Sequence, residues 1–369
     1  MIRRKIETDL YTLHADCCLS VMPTLADGSV DLIVADPPYN GVKDADWDNQ
    51  WKTDADYLAW MGSVLDKFRR VLKPNGSLYL FASPQMAWGV EGEVRRRLTV
   101  LSRVTWLKTN APGFDGWKGK MEKEALRQWY PHSEQIIFAE QQMREARYDE
   151  AARVFHQKVY APIGAHIRSK RKAAGLTMNE LTELIGEYGK VNHGGAVSNW
   201  ESGSSIPSEE QYVKICLACG GLRRDCNEAR ERMHEDIEEM RLLRREYEDQ
   251  RRPFSVTADV PYTDVWNFPT VQAYKGKHVC EKPLAMLAHI VKASSRHDAV
   301  VLDPFMGSGA LGQACIELGR RYIGIEKCQR WMEHAAHRIG QAERSVAWLG
   351  IEPTMGDEQG ILALGEPSI

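Results

Sequence analysis

The sequence predicts an α/β protein built on a doubly wound, mostly parallel sheet that is interrupted by an all-α insert. Three observations predict it. Short apolar runs that end at turns alternate with segments of helical period between residues 30 and 140. That alternation stops after about residue 140 and resumes near 282. The stretch between them carries capped, basic helical segments and no comparable apolar strand runs.

Taken in order, residues 30–35 (VDLIVA) form an apolar run closed by Pro37-Pro38, as a buried parallel strand would. Residues 54–72 place Tyr57, Trp60, Met61, Val64, Leu65, Phe68, Val71 and Leu72 at helical spacing. Pro74-Asn75-Gly76 ends that helix ahead of a strand at 77–81, and further strands are expected at 104–107 and 135–139. After the interruption, 284–293 reads as a helix, 299–302 as a strand, 310–318 as a helix and 321–325 as a strand, with a last helix to about 339. The expected division is 1–145 and 259–345 for the two parts of the α/β domain, 146–258 for the insert, and 346–369 for a loose tail.

Composition narrows the class. The chain has 369 residues, long enough for two or three domains, with 43% hydrophobic and 27% charged residues, as in globular proteins. No apolar run approaches the roughly 20 residues of a membrane span, and the N-terminus lacks a secretory pattern. A cytoplasmic, nucleoid-associated protein without a membrane partner is expected. Of the eight cysteines, Cys17, Cys18, Cys280, Cys315 and Cys328 are scattered through apolar segments, which suits a reducing compartment; Cys216 and Cys219 form a CxxC without a second pair, so no metal site is expected. Net charge is −3, and any nucleic-acid contact would need a local basic face, for which Arg168-Ser-Lys170-Arg171-Lys172 is a candidate.

Two turns carry chemistry. Asp36-Pro37-Pro38-Tyr39 follows the first buried strand directly, where open α/β sheets place ligands. The prolines stiffen the turn and remove two backbone donors, leaving carbonyls free to accept. Asp36 and the Pro37 carbonyl suit the two hydrogens of an exocyclic amino group, and Tyr39 suits the face of the ring that bears it. The second turn, Asp303-Pro304-Phe305-Met306-Gly307-Ser308-Gly309, joins a strand to a helix, so that the backbone can approach a ligand closely. Glu326, after the next strand, is placed to accept from ribose hydroxyls. Neither a P-loop nor a GxGxxG pattern occurs.

On these residues the chain resembles the amino-methylating DNA methyltransferases of the permuted β class, in which a DPPY element precedes an FxGxG element. Here Asp36–Tyr39 precede Phe305-Met306-Gly307-Ser308-Gly309, with Asp16, Asp31, Lys282-Pro283-Leu284 and the segment 264–269 at matching places. The resemblance implies a Rossmann-like, circularly permuted fold that uses S-adenosylmethionine, held by Asp16, Lys282, Asp303, Pro304, Phe305, Gly307, Gly309 and Glu326. It implies direct methyl transfer, with the target base flipped out of duplex DNA. Asp36 at the first motif position favours adenine N6. His278-Val-Cys-Glu281 departs from the family's His-Pro, which leaves His278 without a role. A homodimer is implied by the resemblance alone, and a restriction endonuclease partner is left open.

The insert resembles the Cro- and lambda-repressor-like helix-turn-helix family over 163–220. A basic helix ends at Gly175, Thr177-Met-Asn-Glu180 opens a second helix with a capping box, and Ala196–Glu201 supplies a third. That likeness puts His193, Ser198 and Asn199 on or near the reading face, beside the basic Arg168, Lys170, Arg171 and Lys172, and puts Leu181, Ile185, Val197 and Trp200 inside. The alternative is a packing insert that touches no DNA. The charged stretch 225–252 fits a connector, a phosphate contact or a dimer contact equally well. Residues 108–132 mix basic and aromatic groups, with Lys108, Arg127 and Trp129 among them, and fit either a DNA-lining loop or simple packing. Cytosine N4, RNA, a protein glutamine, and a regulator with a degenerate methyltransferase domain are the competing readings.

Overall fold

In the computed structural model, residues 5–42, 45–109, 127, 129, 132–141, 161–186, 195–203, 205, 207–220, 252–256 and 262–348 are described. The chain divides into two units, one of 1–142 with 252–369 and one of 143–251.

Among the described residues of the first unit nine strands form one sheet. Its strands are β1 (Lys5–Glu7), β2 (Tyr11–His14), β3 (Val30–Ala35), β4 (Leu72–Ala82), β5 (Leu98–Thr109), β6 (Ser133–Gln141), β7 (Val265–Pro269), β8 (Val300–Asp303) and β9 (Arg321–Ile325). They lie in the order β1-β2-β9-β8-β3-β4-β6-β5-β7. The ladders β2/β9, β9/β8, β8/β3, β3/β4 and β5/β7 are parallel. The ladders β1/β2, β4/β6 and β5/β6 are antiparallel, so the sheet is mixed on both flanks of a parallel centre.

Alternation along the strands explains why both faces are covered. Leu32 and Val34 of β3, with Tyr79 and Phe81 of β4, enter one core. Ile33, Ala35, Leu78 and Leu80 enter the other. Helix α1 (Cys18–Val21), α2 (Asp54–Val71) and α3 (Ala87–Arg95) serve the second core. Thr53 and Asp56 close a capping box at the start of α2, and its buried Tyr57, Met61, Val64, Leu65, Phe68 and Val71 form the expected stripe.

The second unit contains α4 (Ala161–Ala173), α5 (Met178–Leu184), α6 (Gly195–Ser202) and α7 (Glu209–Cys219). Leu181, Ile185, Val197 and Trp200 are buried together with Ile163, Ile167, Tyr212, Ile215 and Cys216. Thr177 and Glu180 form both bonds of the capping box, and Gly175 ends the preceding turn with φ +69°. Beneath this core Glu201 is buried and gathers two arginines: Arg171 reaches both of its carboxylate oxygens, and Arg168 reaches its carbonyl at 2.9 Å.

Back in the first unit, α8 (Leu284–Ser294), α9 (Ala310–Glu317) and α10 (Gln329–Trp348) pack on the first core. Helix α10 runs to Trp348, beyond the expected end and into the stretch assigned to the tail; the rest of that tail and 225–251 lie outside the described residues. Strands β1, β2 and β7 leave no pattern in the sequence, because three to five residues of mixed polarity hold too few periods to register. No helix among the described residues is long and apolar enough to cross a membrane.

Breaking a buried ion pair leaves an uncompensated charge behind. Glu201→Ala is expected to destabilise the second unit by about 3 kcal/mol, measured by urea unfolding of the full chain.

Candidate active site

The parallel pairing of β3 with β8 sets Leu32 beside Val301 and Ile33 beside Leu302. Both strands therefore end at the same edge, and the turns that follow them emerge side by side. From β3 the chain winds through α2 to β4 on one side; from β8 it winds through α9 to β9 on the other. That is a topological switch point, where a crevice opens between the departing connections. A cavity of about 1010 Å³ occupies it, lined by Asp16, Asp36–Tyr39, Lys282, Asp303–Ser308 and Glu326 among others.

The Asp36 turn is held from three directions. Tyr57 of α2 donates its hydroxyl to the Pro38 carbonyl at 2.8 Å. The buried carboxylate of Asp48 accepts from the backbone amides of Tyr39 (2.5 Å), Asn40 (3.1 Å) and Val42 (2.8 Å). Tyr39 donates its hydroxyl to Asp36 Oδ1 at 2.7 Å, with Glu134 Oε2 at 3.0 Å. Among the described residues no donor sits on the Pro37 carbonyl, so that acceptor faces no internal competition. Burial and the adjacent carboxylates push the Tyr39 hydroxyl well above its usual range, which keeps it a donor.

Lys282, a cofactor candidate from its motif, lines the cavity and donates its ammonium to Asp36 Oδ2 at 2.6 Å, with Glu134 at 3.2 Å. It sits at the Pro283 cap of α8, which aims it at the opposite turn. Lys108 holds the other oxygen of Glu134 at 2.6 Å. Burial would raise Glu134, but Lys282 and Lys108 override it and hold the carboxyl at about 2. Burial would lower Lys282, but Asp36 and Glu134 raise it, so it stays charged. Burial raises Asp36, against the pull of Lys282.

The glycine turn is braced by its own carboxylates. Glu326 accepts from the Gly307 amide at 2.9 Å and from the Cys328 amide at 2.8 Å, joining the ends of β8 and β9. Asp303 accepts from Phe305 N–H at 3.2 Å and from the Tyr322 hydroxyl at 3.1 Å, so its oxygens serve the turn itself. Gly307 has φ +51°, and a Cβ there would meet the His278 ring at 3.3 Å. Gly309 also needs a positive φ, but its Cβ would strike Ala335 of α10 at 2.7 Å: helix packing, rather than the closeness of a ligand, requires glycine there. His278 packs edge-on against Trp331 and is held neutral, burial lowering it to about 4.

Asp16 lines the cavity at its exposed side, and Trp60 meets Phe305 at 5.9 Å between ring centres. Carboxylates beside an apolar aromatic wall fit a nucleoside bearing a cationic sulfonium, as S-adenosylmethionine does. Among the described residues no group of three or more His, Cys, Asp or Glu side chains is arranged to hold a metal ion.

The residues proposed for DNA lie in the second unit. Arg168, Lys172 and Asn199 are exposed, and Lys170 and Ser198 are half-buried. Arg171 faces inward, bound to Glu201 and to the Leu176 carbonyl, and is removed from the DNA set. His193 lies outside the described residues. Glu134 and Asp48 went unnoticed in the sequence: each is a single acid outside any motif, and only folding brings it to the turn.

Asp303 sets a pH dependence. Burial raises its carboxyl to about 7, against an unfolded value of about 3.9, so the native state binds more protons between these limits. Its contribution to stability therefore falls as pH rises from about 4 to about 7. Asp303→Asn is expected to flatten that slope in urea unfolding series taken across this range.

The chain is 25% identical over 337 residues to the DNA adenine methyltransferase YhdJ of Escherichia coli (strain K12), a match covering 89% of this chain and 82% of that protein. It is 23% identical over 358 residues to the type II methyltransferase M.HinfI of Haemophilus influenzae, covering 92% and 71%. Among solved structures, the complex of M1.HpyAVI with S-adenosylmethionine matches with a TM-score of 0.47 at 15% identity, over 89% of this chain and 99% of that one. The profile of the N6/N4 methylases, described as DNA methylase, matches residues 30–337, which include both turns and every strand between them. With that span matched and the two turns meeting at one crevice, the chain belongs to the N6/N4 DNA methylase family and is an S-adenosylmethionine-dependent DNA methyltransferase.

Proposed function

We propose that the chain methylates N6 of adenine in DNA through the Asp36 turn, in a circularly permuted catalytic domain whose inserted second unit binds DNA. The observation that carries the reading is the position of Asp36 and the Pro37 carbonyl at the end of β3, directly beside the glycine turn that ends β8. The preference for adenine draws on YhdJ, whose name specifies that base and whose match spans most of the chain. Permutation is supported by chain order, since the Asp36 turn comes before the glycine turn although the two are spatial neighbours.

S-adenosylmethionine supplies an electrophilic methyl group on a sulfonium, and Asp16, Phe305 and Glu326 are the residues placed to hold it. The protein's own task concerns the amino nitrogen, whose lone pair is delocalised into the ring. Asp36 and the Pro37 carbonyl accept its two hydrogens, favouring the geometry in which that lone pair turns out of conjugation. As the nitrogen–carbon bond forms, the carbon–sulfur bond breaks with its electron pair staying on sulfur. The nitrogen gains positive charge beside the Asp36 carboxylate, and its surplus proton passes along that hydrogen bond to the carboxylate. Tyr39 offers a ring face while its hydroxyl keeps Asp36 oriented. The amino group is paired in a duplex, so the base must be flipped into the cavity.

In the second unit, the capped α5, the partly exposed Ser198 and Asn199 on α6, and the basic end of α4 support a helix-turn-helix reading.

With methyl-labelled S-adenosylmethionine and unmethylated duplex DNA, digestion is expected to release labelled N6-methyladenine; label on cytosine or none on DNA would overturn the reading. Asp36→Ala should lower transfer by about a hundredfold or more while cofactor binding persists. Asn199→Ala with Ser198→Ala should weaken DNA binding about tenfold in fluorescence titrations, and unchanged binding would remove α6 from the interface.

A further inference from the structure

Both oxygens of Asp36 are engaged before any base arrives, Oδ1 by the Tyr39 hydroxyl at 2.7 Å and Oδ2 by the Lys282 ammonium at 2.6 Å. Acceptance of an amino hydrogen places two demands on that carboxylate. It must present a lone pair to the base, and it must present net negative charge to a nitrogen that is turning positive. An ammonium seated on Oδ2 competes for a lone pair of that oxygen and opposes the second demand outright, because its charge falls beside the reacting nitrogen.

The surroundings provide a second seat. Lys282 Nζ is already 3.2 Å from Glu134 Oε2. It lies over the rings of Phe81 at 5.0 Å, Tyr39 at 5.4 Å and Trp106 at 6.0 Å, faces that attract a cation wherever it moves among them. Glu134 is buried on β6, and Lys108 fixes its other oxygen at 2.6 Å, so Oε2 stays in place as Lys282 approaches.

We propose that Glu134 is a positioning residue that takes the Lys282 ammonium from Asp36 when the target amino group enters, freeing Oδ2 for the incoming hydrogen. The move is a small displacement inside an aromatic cage, with no bond made or broken and no proton transferred. It explains why a buried lysine stands between two carboxylates: one is the resting partner, the other the partner during transfer. Lys282 thus rests on Asp36 in the empty site and withdraws when its charge would be harmful. This deepens, and rests on, the reading of Asp36 as the amino acceptor.

Glu134→Gln keeps the shape and removes the charge. The single-turnover rate of methyl transfer is expected to fall about tenfold or more, with the affinity for S-adenosylmethionine and the KM for DNA changed by less than about threefold. In Glu134→Gln with Lys282→Met no uncompensated ammonium is left, and the rate should recover at least about threefold above that of Glu134→Gln alone. A structural role predicts the reverse, a double variant slower than the single one. That result, a Glu134→Gln enzyme at the wild-type rate, or one that no longer binds S-adenosylmethionine overturns the proposal. A wild-type chain that transfers no methyl group in the same assay overturns instead the function on which it rests.

Discussion

The parallel ladder between β3 and β8 is the contact on which the rest depends. These strands are far apart in the chain, yet Asp31 accepts the Val300 amide at 2.8 Å across 269 residues and also pairs with Lys73 of β4 at 2.7 Å. The ladder makes the Asp36 turn and the glycine turn two walls of one crevice. Had the halves met in another register, the same motifs would sit at different heights and share no cavity. Because the strands that follow depart in opposite directions, nothing of the sheet itself fills the space between them.

Around that crevice the protein uses carboxylates in three ways. Asp48 and Glu326 collect backbone amides and so shape the two turns. Asp303 lies beneath the glycine turn, where burial moves its titration toward neutrality. Asp36 and Glu134 share Lys282, and in the proposed reaction the Asp36 carboxylate would face the nitrogen that turns positive. The same functional group thus meets different partners according to its place: backbone amides fix a carboxylate, whereas an ammonium on a flexible side chain is a partner it can lose.

The second unit shows the same division on a smaller scale. Arg168, Lys170, Arg171 and Lys172 look alike in the sequence as one basic run. Folding turns Arg171 inward to Glu201 while Lys172 stays exposed, because helical geometry sends neighbours in sequence to different faces. A run of charge therefore overstates the number of groups free to meet a phosphate.

The sequence by itself determined the central strands, most of the long helices and both turns. The apolar run at 30–35, the stripe of α2, the capping box at Thr177 and the order of the Asp36 and glycine turns are local patterns, and local patterns are written in neighbouring residues. It also pointed to Asp36, Pro37, Pro38, Tyr39 and Glu326 as candidates for chemistry, because each stands beside a turn, and the fold brings all five to one cavity. Tertiary structure alone decided the direction of β6, the pairing of the short edge strands, the inward turn of Arg171 and the seat of Lys282 between Asp36 and Glu134. It also changed the reason for Gly309, from approach by a ligand to approach by Ala335. Each of these depends on a partner distant in the chain, and the position of such a partner is set by packing of the whole sheet, which no window of neighbouring residues contains.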